Sequence, residues 1–186
     1  DTAKKIILFP ARITSWKGQL EFIDVIKKID TQNIFVLFAG DTKNESYTKL
    51  VRDKIKQNNL EGVCKILGSV NQDEMRSLYQ VADLSVSFPL RAEGFGRTIS
   101  ESLYSKTTVL AFDYGGVKNQ LANLSEIFKV KPQDYQALPA KIKKLLNLSE
   151  VEKKEALEGV QSVIENNFSK INMVNQYLKL YESFKF

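Results

Sequence analysis

An α/β fold, a doubly wound parallel sheet with helices on both faces, is what this sequence predicts, and three observations predict it. Short apolar runs recur at residues 5–10, 34–40, 63–67, 84–88 and 108–112, with a weaker one at 127–130. Their apolar character is nearly continuous rather than alternating, as strands covered on both faces require. Between them lie stretches of helical periodicity, and strands alternating with helices build parallel βαβ units. The pattern is Rossmann-like.

The elements follow in chain order. The first run leads through Phe9-Pro-Ala-Arg-Ile-Thr-Ser-Trp-Lys-Gly-Gln19 into the first helix. After the second run, Tyr47, Leu50, Val51 and Ile55 fall at i, i+3, i+4 and i+8, one face of a helix. After the third, Met75, Leu78, Tyr79 and Ala82 repeat the theme, and Asn71 with Glu74 reads as a capping signal. A helix begins near Arg97 after the fourth run. In the tail, Leu138, Ile142, Leu145 and Leu146 form one apolar face, and Val160, Val163, Ile164 and Phe168 another. Ser169 is placed to cap a last helix bearing Val174, Leu178 and Tyr181. These tail helices are expected to close the surface of the sheet. No internal repeat, low-complexity tract or interdomain linker interrupts residues 1–186, which read as a single domain.

Composition sets the outer limits. At 186 residues the chain is long enough to bury a full core without disulfides. Its one cysteine, Cys64, sits inside an apolar strand and reads as a buried thiol; a lone cysteine fits a reducing, cytoplasmic compartment. No apolar run approaches the ~20 residues of a membrane span, and a polar tripeptide ahead of the first strand gives no signal-segment pattern. The net charge of +5, from 27 basic and 22 acidic residues, is modest. Lys141, Lys143 and Lys144 lie on one helix and Lys153 and Lys154 on the next. A solvated face is the first reading of these lysines, and weak peripheral attraction to the inner face of an anionic plasma membrane the second. Nucleic acid is disfavoured, because the cations are not interleaved with exposed aromatics.

Two loops carry the chemistry. In Glu93-Gly-Phe-Gly-Arg-Thr-Ile-Ser-Glu101 two carboxylates lie eight positions apart around a Gly-Phe-Gly turn that opens a helix. A helix N-terminus offers N–H donors and partial positive charge to a diphosphate. Glycines Gly94 and Gly96 allow close approach of the main chain, while the carboxylates accept from hydroxyls. Upstream, Arg12 and Lys17 share one strand-to-helix loop at the carboxyl edge of the sheet, where open α/β folds bind ligands. A planar fork and a point charge together suit a diphosphate. Taken one at a time, these residues read first as a plain β-to-helix turn and solvated surface charges; the two loops together point to the ligand. Trp16 reads as a packing lid over the helix start, ahead of a sugar platform.

Arg12 with Lys17-Gly18, and Glu93-x7-Glu101 around Gly-Phe-Gly, resemble the C-terminal half of retaining, metal-independent glycosyltransferases of the GT-B fold, closest to glycosyltransferase family 4, the group 1 transferases. Lys65-Ile-Leu-Gly-Ser-Val70, Leu78-Tyr79, Ala82-Asp83, Gly115-Gly116 and Tyr177-Leu-Lys-Leu-Tyr181 extend the likeness from about residue 3 to the end.

The resemblance implies roles. Arg12 and Lys17 neutralise the donor diphosphate as leaving group, and Glu93 faces the transferred sugar; these three are the candidate catalytic residues. Glu101 holds the ribose hydroxyls. Backbone N–H groups of Gly94, Phe95, Gly96, Arg97 and Thr98 bind phosphate and sugar, and Leu67, with Gly40 nearby, lies toward the base. The run Gly115-Gly-Val-Lys-Asn119 departs from relatives that carry an acidic residue there, leaving Lys118 as an added phosphate contact.

No cofactor is expected: there is no Asp-x-Asp triplet and no histidine, so a divalent ion has no visible ligand set. The implied partners are a nucleotide sugar and an acceptor glycan or glycolipid, the latter bound through an N-terminal acceptor domain expected to be absent from this chain. The implied setting is bacterial cell-envelope polysaccharide or lipopolysaccharide synthesis. Two other classes stand beside it: a nucleotide-sugar epimerase or phosphorylase-like enzyme of the same fold, and a noncatalytic α/β interaction module.

Overall fold

The computed structural model describes residues 4–184. Six strands form one all-parallel sheet: β1 (Lys5–Pro10), β2 (Ile34–Ala39), β3 (Cys64–Gly68), β4 (Leu84–Ser87), β5 (Val109–Phe112) and β6 (Lys129–Val130), in the order β3-β2-β1-β4-β5-β6. Helices α1 (Gln19–Ile26), α2 (Glu45–Gln57), α3 (Gln72–Val81), α4 (Arg97–Tyr104) and α5 (Gly116–Leu121) connect or flank the strands. Helices α6 (Leu138–Leu146), α7 (Glu150–Ala156), α8 (Val160–Phe168) and α9 (Lys170–Ser183) follow the sheet.

The continuous apolar runs are explained by burial on both sides, because successive strand side chains point to opposite faces. Ile7 and Phe9 of β1, with Val36 and Phe38 of β2, enter the larger core. Their neighbours Leu8, Leu37 and Ala39 join a smaller cluster under Tyr79 of α3. Aromatic rings run across the larger core, with centroids 5.5 Å apart for Phe9–Phe38, 5.4 Å for Phe22–Phe88 and 5.2 Å for Phe88–Phe112.

The capping signal on α3 is realised: Glu74 N–H donates to Asn71 Oδ1 at 2.9 Å, and Asn71 N–H to the Glu74 carboxylate at 2.7 Å. Ser169 caps α9 by accepting from Asn172 N–H at 3.2 Å.

Two expectations change, and one helix is new. The run at 127–130 is a 3-10 turn (Glu126–Phe128) followed by the two-residue β6, because Phe128 reaches the core from the turn and leaves only the sheet's edge to pair. Helix α5 carries no long apolar period in the sequence and emerges only in the fold. The tail closes the sheet in part: Leu138, Ile142 and Leu145 of α6 are fully buried, but α9 has no buried residue. Its predicted face stays exposed, with Val174 at 42%, Leu178 at 54% and Tyr181 at 71%. Among the described residues no helix is long and apolar enough to cross a membrane.

Candidate functional site

Strand order positions the site. β1 and β4 are neighbours, yet β1 leads on to β2 on one side and β4 to β5 on the other. Their carboxyl-end loops therefore part, and a furrow opens at this topological switch point.

The two loops are fastened together at the base of the furrow. Leu90 N–H donates to the Trp16 carbonyl at 2.8 Å. Gly18, at φ +85°, lies against the Phe88 carbonyl so closely that a Cβ would stand 2.1 Å from that oxygen. The Lys17 ammonium pairs with the Glu93 carboxylate; their side chains are 16% and 8% exposed. Gln19, fully buried, donates to the Arg12 carbonyl at 2.8 Å and fixes the main chain below the exposed Arg12 guanidinium.

Arg12, Lys17 and Glu93 line a cleft of about 710 Å³ together with Trp16, Arg91 and residues 94–98. The Trp16 ring carries cations: Lys17 Nζ stands 4.3 Å, and Arg91 Cζ 5.0 Å, from its centroid. Trp16 is thus part of the cleft wall, and Arg91 is a third cation that the sequence reading did not single out.

The glycine turn is held from outside by α5. Gly116 N–H donates to the Glu93 carbonyl at 2.9 Å. A Cβ on Gly116 would lie 2.2 Å from the Gly94 carbonyl, and one on Gly115 2.5 Å from that of Glu93. The buried Gln120 amide donates to the Phe95 carbonyl, and its Oε1 accepts from the Ser100 hydroxyl at 2.6 Å. Tyr114 OH donates to the Pro89 carbonyl; burial and the neighbouring Glu93 charge push this phenol's pKa up. The Phe95 ring meets Phe168, the last residue of α8, at 5.5 Å. α4 starts at Arg97 with no side-chain cap; Ile99 N–H turns back to the Gly96 carbonyl at 3.0 Å, and Arg97 and Thr98, the first two residues of the helix, line the cleft.

Arg12, Lys17, Glu93, Gly94, Phe95, Gly96, Arg97 and Thr98 are therefore brought to one cleft. Glu101 is not: it stands one turn along α4, over a neighbouring cavity of about 260 Å³ lined by Gln72, Met75, Arg76, Tyr79 and Tyr104. Its carboxylate accepts from Tyr79 OH at 2.8 Å. Gly40 is a close-approach position, where a Cβ would lie 2.1 Å from the Ala11 carbonyl. Leu67 packs into the smaller core cluster. Lys118 is exposed on α5, outside the cleft lining. Among the described residues no group of three or more His, Cys, Asp or Glu side chains converges.

The sequence model for glycosyl transferases group 1 matches residues 1–159. This chain belongs to that family. The group 1 assignment agrees with solved structures. A glycosyltransferase from Rickettsia africae superposes with a TM-score of 0.88 at 30% identity, over 98% of this chain and 48% of that one. Anabaena HepE, solved in complex with UDP and glucose, shares the fold with a TM-score of 0.84 at 22% identity, over 97% of this chain and 49% of that one. In sequence, this group 1 domain is 27% identical over 191 residues to the trehalose synthase of Thermococcus litoralis, covering 99% of this chain and 45% of the relative. It spans about half the length of the curated relatives it matches. The six-stranded parallel sheet matches the C-terminal domain of GT-B glycosyltransferases, as the sequence motifs implied.

Proposed function

We propose that this chain is the donor-binding half of a retaining, metal-independent glycosyltransferase that moves a sugar from a nucleoside-diphosphate sugar to an acceptor. One observation carries the reading: Arg12, Lys17 and Arg91 converge with the uncapped start of α4 on a single cleft at the switch point. Breaking a glycosyl–phosphate bond builds negative charge on the diphosphate and positive charge on the sugar. Fixed cations and N–H dipoles stabilise the first, and Glu93, in the same cleft, stabilises the second. Arg12 and Lys17 take the place that a bridging divalent ion fills elsewhere. Glu101, in the adjacent cavity, receives the ribose, and the base extends toward Gly40 and Leu67.

The exposed apolar face of α9 and the half-length match to relatives support an acceptor-binding partner domain elsewhere in the protein. The acceptor is a cell-envelope polysaccharide or lipopolysaccharide precursor, met at the inner face of the plasma membrane. The likeness to trehalose synthases favours a second reading, in which the acceptor is a small soluble sugar.

A thermal-shift screen against UDP, GDP, ADP and their sugars, with EDTA present, tests the donor site. A ligand at 100 times its dissociation constant adds about 2.7 kcal/mol of stability. The expected result is a shift with one nucleotide family that is lost in Arg12→Ala. No shift with any nucleotide, with or without Mg²⁺, overturns the reading.

A further inference from the structure

We propose that Tyr79 is a positioning residue for nucleotide binding: its buried phenol fixes the Glu101 carboxylate so that the remaining acceptor sites meet a ribose diol. The proposal rests on the donor-site reading above and extends it to a residue outside the cleft.

Tyr79 is 3% exposed and packs among Leu8, Leu37 and Ala39 on the α3 face of the sheet. Both ends of the residue are held. Thr107, itself buried, donates its hydroxyl to the Tyr79 carbonyl at 2.6 Å. The phenol donates to Glu101 Oε2 at 2.8 Å. An exposed glutamate on a helix surface ordinarily samples several rotamers, and a hydrogen bond from a rigid buried donor removes that freedom. An ionised carboxylate offers about four acceptor sites. One is taken by Tyr79, leaving Oε1 and the second lone pair of Oε2 for two vicinal hydroxyls. Glu101 also opens onto a cavity, so the tethered carboxylate is reachable by a ligand.

A simpler role, in which Glu101 only satisfies the buried phenol, makes a different prediction. Affinity is measured for UDP and for 2′,3′-dideoxy-UDP, or the GDP or ADP pair if that base gives the larger thermal shift. The wild type is expected to prefer the ribonucleotide. Tyr79→Phe is expected to weaken ribonucleotide binding by about tenfold, the low end of the range for a hydrogen bond to a charged group, while leaving the dideoxy form unchanged. Glu101→Ala should abolish the preference, and the double variant should lose no more than Glu101→Ala alone. A preference kept intact in Tyr79→Phe, or both nucleotides weakened equally, overturns the positioning role. A wild type that binds both forms equally overturns the ribose assignment of Glu101 and this proposal with it. Nucleotide binding absent altogether overturns the donor-site reading beneath both. Thermal melting of Tyr79→Phe separates any general loss of fold from the change in preference.

Discussion

Lys17 and Glu93 form an ion pair that spans the furrow, joining the loop after β1 to the loop after β4 with both side chains largely buried. The cation proposed for the diphosphate is thus neutralised by the carboxylate proposed for the sugar. The two substitutions should separate. Lys17→Met strands a buried carboxylate and is expected to cost about 3 kcal/mol of stability and weaken UDP binding. Glu93→Gln releases Lys17 and is expected to tighten binding of the free diphosphate while slowing transfer by the whole enzyme. Urea melts and calorimetric titration read both.

Gly116 supports the glycine turn by leaving room for the Gly94 carbonyl. A methyl group there must displace either α5 or the turn. Gly116→Ala is expected to destabilise by about 1–3 kcal/mol, the usual cost of overpacking, and to reduce nucleotide affinity at least tenfold. Equal affinity in a folded Gly116→Ala variant would show that the turn's position is irrelevant to binding.

Cys64 is 5% exposed, and burial pushes its thiol pKa up to about 12. At pH 8 about one thiol in ten thousand is then thiolate, the reactive form. Native protein should resist iodoacetamide for hours and react rapidly in guanidinium. Labelling under native conditions should therefore report opening of the domain rather than surface chemistry.

Asp83 ties the start of the sheet together: it accepts from the Lys5 ammonium at 2.8 Å and from Ile6 N–H at 2.8 Å. The hydrogen bond from Lys5 to Asp83 raises the Lys5 pKa above its ordinary 10.5. A pKa raised by folding contributes stability that is fully present below the unfolded value and is lost as pH rises through the folded one. Because Lys5 is 43% exposed, the pair contributes less than about 1 kcal/mol. The stability gap between wild type and Lys5→Met should hold near neutral pH and close above pH 10.5.

The fold was largely legible because local signals and burial agree. Five strands follow from apolar runs, and α3 from a capping pair three residues apart. Less could be read where partners are distant in sequence. Nothing in the spacing of Lys17 and Glu93 announces their pairing, which depends on β1 and β4 being sheet neighbours. Gln120 looks like any polar helix residue until α5 sets its amide against the Phe95 carbonyl. Arg91 resembles a solvated cation until Trp16 turns toward it. The exposure of α9 was also unreadable, since an apolar helical face does not state what covers it.

The contact between Phe95 and Phe168 places a fulcrum beside the glycine turn. Phe168 ends α8, and α9 departs one residue later at Ser169. At 1.5 Å per residue the 14 residues of α9 make an arm of about 21 Å. A tilt of about 10° at Ser169 sweeps the tip of that arm through about 4 Å, while the ring of Phe168, at the pivot, travels only a small fraction as far. By the same geometry, a shift of Phe95 that tilted Phe168 by a few degrees would be magnified at the far end of α9.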